Sequence, residues 1–137
     1  MLVLFILIGV FLKYFYSEQW TLFAREVSRS LGLGYVELDR VSVLKSTGSK
    51  SRRTIARIHT IGKVMQAGMQ QKPFYTIELI SEQFDRRSEE EKVKTIIHEL
   101  LHIPKSFGGG FRNHKHHVNR LTIDEAYKKL GEQRTLV

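Results

Sequence analysis

Five of the six histidines in this 137-residue chain fall within residues 98 to 117, HELLHIPKSFGGGFRNHKHH. His98 and His102 are four residues apart, so on a helix both imidazoles project from one side and can reach a single divalent ion. On a wheel of about 3.6 residues per turn, Glu99 falls about 100° from His98. It stands beside the pair without being forced onto the ion, and can take the proton of a water that the ion acidifies. The chemistry this pattern supports is hydrolysis, with the ion also polarising the carbonyl under attack.

Two imidazoles do not complete such a site, because a catalytic zinc wants three protein ligands and one exchangeable position. The chain has no cysteine, so the third donor comes from His114, His116, His117, Asp124 or Glu125. Pro104 stops the motif helix, and Gly108, Gly109 and Gly110 permit a sharp reversal of the chain. His114 follows that reversal most immediately and is the preferred third ligand. His117, its i+3 neighbour on an expected helix over residues 113 to 120, is the alternative ligand or a hydrogen-bonding support. Arg112, His117 and Tyr127 are candidate donors to an oxyanion.

The elements that must position these groups can be read from periodicity. Residues 17 to 31 carry Trp20, Phe23, Ala24, Val27 and Leu31 at helical spacing, and Gly32 ends the stripe. Val36 with Leu38 and Val41 with Val43 alternate with polar residues, which reads as one or two strands, and residues 46 to 51 read as a turn. In RRTIARIHTI, Ala56 and Ile58 face inward while Arg53, Arg57 and His59 face outward, with His59 as a bystander. Residues 62 to 73 are irregular or one short helical turn. FYTIELI, residues 74 to 80, is the clearest strand. Ser88 with Glu91 forms a capping box for a helix over 89 to 103, whose Val93, Ile96, Ile97 and Leu100 lie opposite the histidines. A last helix is expected from Thr122, fraying after Gly131. The short gaps favour three or four strands, mostly antiparallel.

With HELLH and its flanks in place, the stretch from Phe74 to Tyr127 resembles the small zinc metallopeptidases of archaea and their viruses, and more distantly the SprT-like domains. HELLH is specific for a zinc peptidase superfamily, whereas IPKSFGGGFRNH is the more family-specific part. In SprT-like domains a third histidine follows the second by about a dozen residues, the place that His114 occupies. The resemblance implies an α+β, minimal zincin-like fold: an N-terminal helix, a small mostly antiparallel sheet, the HExxH active-site helix and C-terminal helices. It also implies that the strand Phe74, Tyr75, Thr76, Ile77, Glu78, Leu79 forms the rim of the cleft and pairs with an extended peptide or protein substrate. The metzincin spacing is absent, since the sixth residue after His102 is Gly108. Cysteine-based zinc modules, which often accompany SprT-like domains, have no counterpart in this sequence.

Composition frames the alternatives. An apolar content of 42% and a charged content of 26% describe a folded domain. The formal charge of +8, with Lys50, Arg52, Arg53 and Arg57 on one ridge and Arg112, Lys115 and Arg120 in a second cluster, suits a polyanion. A basic nucleic-acid or ribonucleoprotein-binding protein is therefore the rival reading, and an inactive structural zinc protein is a third. Lack of cysteine agrees with a cytoplasmic location. Residues 1 to 16 stand apart from the metallopeptidase-like domain at 17 to 137. The run MLVLFILIGVFL is shorter than the roughly 20 residues of a spanning helix. It reads as a short membrane or lipid-surface anchor, as an apolar helix packed on the domain or a partner, or as an extension upstream of the domain.

Overall fold

The computed structural model describes the backbone of residues 2 to 7 and 10 to 135, and the side chains of residues 12 to 133. The apolar start is a hairpin rather than a packed helix. Strand β1 (Leu2–Leu7) pairs antiparallel with β2 (Val10–Tyr16), and β2 pairs in turn with β3 (Val41–Thr47). The pairing Lys13 to Thr47 makes these residues part of the domain's sheet. Among the described residues, no helix is long and apolar enough to cross a membrane.

Helix α1 (Glu18–Ser30) follows, its first turn capped by the Ser17 hydroxyl, which accepts from the Trp20 N–H at 3.2 Å. Gly32, at φ 70°, lets the chain leave the helix in a left-handed conformation. Residues 36 to 38 are not a strand. Leu38–Arg40 form a 3-10 turn, and the only strand of this region is β3, which runs on through Ser46 into the expected turn.

Next come β4 (Ala56–Thr60), α2 (Lys63–Met69), β5 (Tyr75–Ile80), the short α3 (Ser81–Phe84), α4 (Glu89–Leu101) and α5 (Arg120–Thr135). The sheet has five strands in the order β1-β2-β3-β5-β4. Three of its pairings are antiparallel, but β3 and β5 run parallel. The short gaps between strands argue against a crossover. One is achieved because residues 48 to 74 make the excursion themselves, laying β4 on the far side of β5 before α2 turns the chain back.

The alternation of β5 decides what faces the helices. Tyr75, Ile77 and Leu79 share a face with Val41 and Val43 of β3, and all are fully buried. Ala24 and Val27 of α1 join them, as do Ile96, Ile97 and Leu100 of α4. Each such aliphatic side chain stabilises the fold by about 1.5–3 kcal/mol relative to exposure. Burying this stripe fixes the rotation of α4 and turns its remaining side toward β4. The capping box is present, with the Ser88 hydroxyl accepting from the Glu91 N–H at 3.2 Å.

Two helical expectations shift. Residues 114 to 117 are a turn, not a helix; the Asn113 carboxamide accepts from the His116 N–H at 3.3 Å and holds it. Helix α5 begins at Arg120 and continues through Gly131. Asn119 caps it, its Oδ1 accepting from the Thr122 N–H at 3.0 Å while its own N–H donates to the Thr122 hydroxyl at 3.1 Å.

Candidate metal centre

His98 lies on the last turns of α4 and His102 is its C-cap residue. Their Nε2 atoms stand 3.2 Å apart. The His102 Nδ1 lies 2.8 Å from the Arg112 carbonyl oxygen. A carbonyl can only accept, so Nδ1 carries the proton and Nε2 presents a bare lone pair to the cleft. The same two residues exchange a second bond, Arg112 N–H to the His102 carbonyl at 2.7 Å. This main-chain pairing brings the glycine-rich segment back across the end of α4.

His114 rides on that returning segment. Its ring centroid is 4.5 Å from that of His102 and 5.4 Å from that of His98. One donor nitrogen from each of His98, His102 and His114 lies within 4.8 Å of the other two. His117 does not join them; it is exposed and packs edge-on against His116 at 6.5 Å. Asp124 is engaged by Lys94 at 3.1 Å and by Arg120 at 3.8 Å. The donor set fits a borderline divalent cation, being all imidazole, fixed in tautomer for His102 and open on one side.

Burial sets the protonation of the group. Withdrawal from water, reinforced by the neighbouring His102 and His114, pushes the His98 imidazole down to about 4. Burial also lowers His102, against the Arg112 carbonyl, which favours its protonated form, and with a further lowering from His114. These two rings are therefore neutral at pH 7 and need release no proton to bind a cation. Glu99 is 7% exposed, and burial pushes its carboxyl up to about 7, against an opposing effect of His59. Among the described residues no hydrogen-bond donor is aimed at this carboxylate. Two concavities meet at Glu99 and share Ala56 and His98 with it. One, of about 380 Å³, adds His102, Phe111, Arg112 and His114; the other, of about 370 Å³, extends toward Arg53 and Ile123.

The glycine loop is held by groups that the sequence did not single out for this purpose. The buried Tyr75 hydroxyl donates to the Gly110 carbonyl at 2.8 Å and accepts from the Gly109 N–H at 3.0 Å. Gln66 of α2 donates to the Gly108 carbonyl at 3.0 Å and the Ile61 carbonyl at 2.7 Å. Gly109 has φ 98°, and a Cβ there would meet the Ile61 carbonyl at 2.7 Å and also the Gln66 amide nitrogen. Only the triple glycine hinted at this clasp; Gln66 carried no local signal.

Other expectations are corrected by position. Both edges of β5 are occupied, by β3 and β4, so Phe74, Tyr75, Thr76, Ile77, Glu78 and Leu79 offer no free edge to a substrate. Glu78 instead faces the opposite side of the sheet, 5% exposed, where Ser46 donates to it at 2.7 Å and His59 lies at 2.8 Å. The His59 hydrogen bond holds the Glu78 carboxyl below its ordinary value, against burial. His59 is thus a partner of Glu78 rather than a bystander. Tyr127 lines a separate groove of about 1130 Å³ between α1, α4 and α5, with Lys94 over its ring at 5.1 Å, and does not face the histidines. The Arg112 guanidinium lies over Tyr35 at 5.4 Å, so this residue serves the site through its backbone. The basic ridge is divided: Lys50 and Arg57 border a concavity with Glu78, while Arg53 borders the cleft of Glu99, and Arg52 is exposed.

The family model described as putative phage metallopeptidase matches residues 13–133. No curated protein and no solved structure matches the chain.

Proposed function

Because the chain belongs to the putative phage metallopeptidase family, we propose that it hydrolyses peptide bonds with a zinc ion held by His98, His102 and His114 and with Glu99 as the proton-transfer group. The observation that carries this reading is the convergence of three imidazole nitrogens within 4.8 Å beside a buried carboxylate that no donor engages. All-imidazole coordination with an open position suits zinc. When bound, the ion supplies the Lewis acidity that makes water acidic near neutral pH and polarises a carbonyl.

The remaining work falls to this chain's own residues. Glu99 receives the proton of the attacking water and passes it to the departing amine, a role for which a carboxyl poised near the working pH is suited. The Arg112 carbonyl keeps the His102 lone pair directed at the ion. The substrate's place shifts from β5 to β4, which among the described residues pairs with β5 alone and stands at the end of the sheet. Ala56 and Ile58 of β4 line the same concavity as His98 and His102. An extended peptide adding to this edge would lay its backbone across Glu99, with affinity drawn from main-chain hydrogen bonds.

Metal analysis and peptide cleavage test the reading together. The protein is expected to hold one zinc per chain. His114→Ala lowers zinc affinity at least tenfold, whereas His117→Ala leaves it within twofold. Glu99→Gln keeps the zinc but loses at least a hundredfold in kcat. Substoichiometric zinc after loading, or full cleavage by Glu99→Gln, would overturn it.

A further inference from the structure

The two concavities that meet at Glu99 differ in their walls. The one away from His114 has an apolar floor of Ile55, Ala56 and Ile123 and a charged rim. At about 370 Å³ it has room for one amino-acid side chain of a peptide laid along β4. Three of the lining groups are cationic, Arg53, Arg87 and Lys94, against two acids, Glu91 and the buried Glu99.

Two of those cations have partners. Lys94 lies 3.1 Å from both Glu90 and Asp124, and Arg87 stands 3.9 Å from Glu91. Arg53 differs: it is exposed, and no hydrogen bond or ion pair with the described residues holds its guanidinium. An arginine stays charged at any working pH, and its planar fork matches a carboxylate. Aliphatic carbons against Ile55 and Ile123 with an anionic tip at Arg53 describe an acidic side chain. A lysine in the same place would instead meet Arg53, the rim cation that no acid among the described residues neutralises.

We propose that this cavity is a subsite for a substrate carboxylate, with Arg53 as its specificity-determining residue; the proposal rests on the peptidase reading above. The carboxylate has two sources, an internal Asp or Glu side chain or the free end of the peptide chain.

The test is cleavage-site mapping by mass spectrometry on two peptide libraries, one with free C-termini and one amidated, using zinc-loaded protein. Wild type is expected to enrich Asp and Glu about fivefold at one position near the cleaved bond, the range that an exposed ion pair supports. The preference shrinks as salt rises. Arg53→Glu inverts it toward Lys and Arg, and Arg53→Lys keeps a weakened form. Enrichment in both libraries identifies a side chain; cleavage confined to the free-acid library, at a fixed distance from its end, identifies the terminus. An unselective profile, or one that Arg53→Glu leaves unchanged, overturns the subsite. Anisotropy of rhodamine-labelled peptides bearing Glu or Gln separates the two levels of the argument. Binding that favours Glu through Arg53 without any cleavage upholds the subsite and sinks the peptidase reading, and indifferent binding sinks the subsite.

Discussion

Replacing Glu99 by glutamine is expected to stabilise the metal-free protein, and to do so only where the carboxyl would ionise. Below pH 4.5, the ordinary value, Glu99 is protonated in folded and unfolded chains alike, and the substitution contributes only a pH-independent offset. As pH rises, the unfolded chain loses this proton first, while the folded chain retains it up to about pH 7 because the group is buried. The raised folded value therefore gives a contribution to stability that is complete below 4.5 and lost as pH climbs through about 7. Each pH unit corresponds to about 1.4 kcal/mol, so the full span is about 3.5 kcal/mol, reduced to about 2 kcal/mol after allowance for water at the cleft mouth. Glutamine never ionises, so the advantage of Glu99→Gln opens between pH 4.5 and 7 and is flat above. His98, held down at about 4, is present in both proteins and cancels from the difference. Urea denaturation with a chelator at pH 4.5, 6, 7 and 8 reads this directly. A difference that does not change with pH, or a variant whose relative stability falls between pH 4.5 and 8, refutes the placement of Glu99.

Two further expectations concern the loop that carries His114. Gly109→Ala is expected to lower stability by about 2 kcal/mol or more in urea denaturation, because it forces a positive φ and crowds a backbone carbonyl; Gly110→Ala, with open space at its Cβ, stays within about 0.5 kcal/mol. Arg112→Ala leaves zinc affinity within about threefold by calorimetry, since its carbonyl remains, whereas Arg112→Pro deletes the N–H that bonds the His102 carbonyl and lowers affinity at least tenfold.

What could be read in the sequence was local. The capped helix expected over residues 89 to 103 and found over Glu89–Leu101, with Ile96, Ile97 and Leu100 opposite His98, follows from spacing and cap chemistry alone, because a helix face is determined within a few turns. The same holds for α1 and for the alternation of β5. Strand neighbours are a different matter. Nothing in FYTIELI says that β3 and β4 take its two edges and leave none free for a substrate, since that depends on how residues 48 to 74 cross over. Lys13–Tyr16 are rich in aromatic residues, and the apolar run before them suits helix or strand equally until a partner such as Val41–Thr47 is available. The helix expected at 113 to 120 failed because Asn113 and Asn119 offer their side chains to nearby N–H groups, a competition that apolar periodicity does not register.

The three-histidine cluster is built from parts of unequal permanence. His98 and His102 belong to a helix locked into the core, whereas His114 hangs from a latch made by Tyr75, Gln66 and the Arg112 backbone. Each of those hydrogen bonds is worth only about 1 kcal/mol net, so the latch can spring while the sheet and α4 stay intact. An ion held by the three histidines would then be released by local opening of one imidazole. Its residence time would then be governed by that clasp and not by the unfolding rate of the domain.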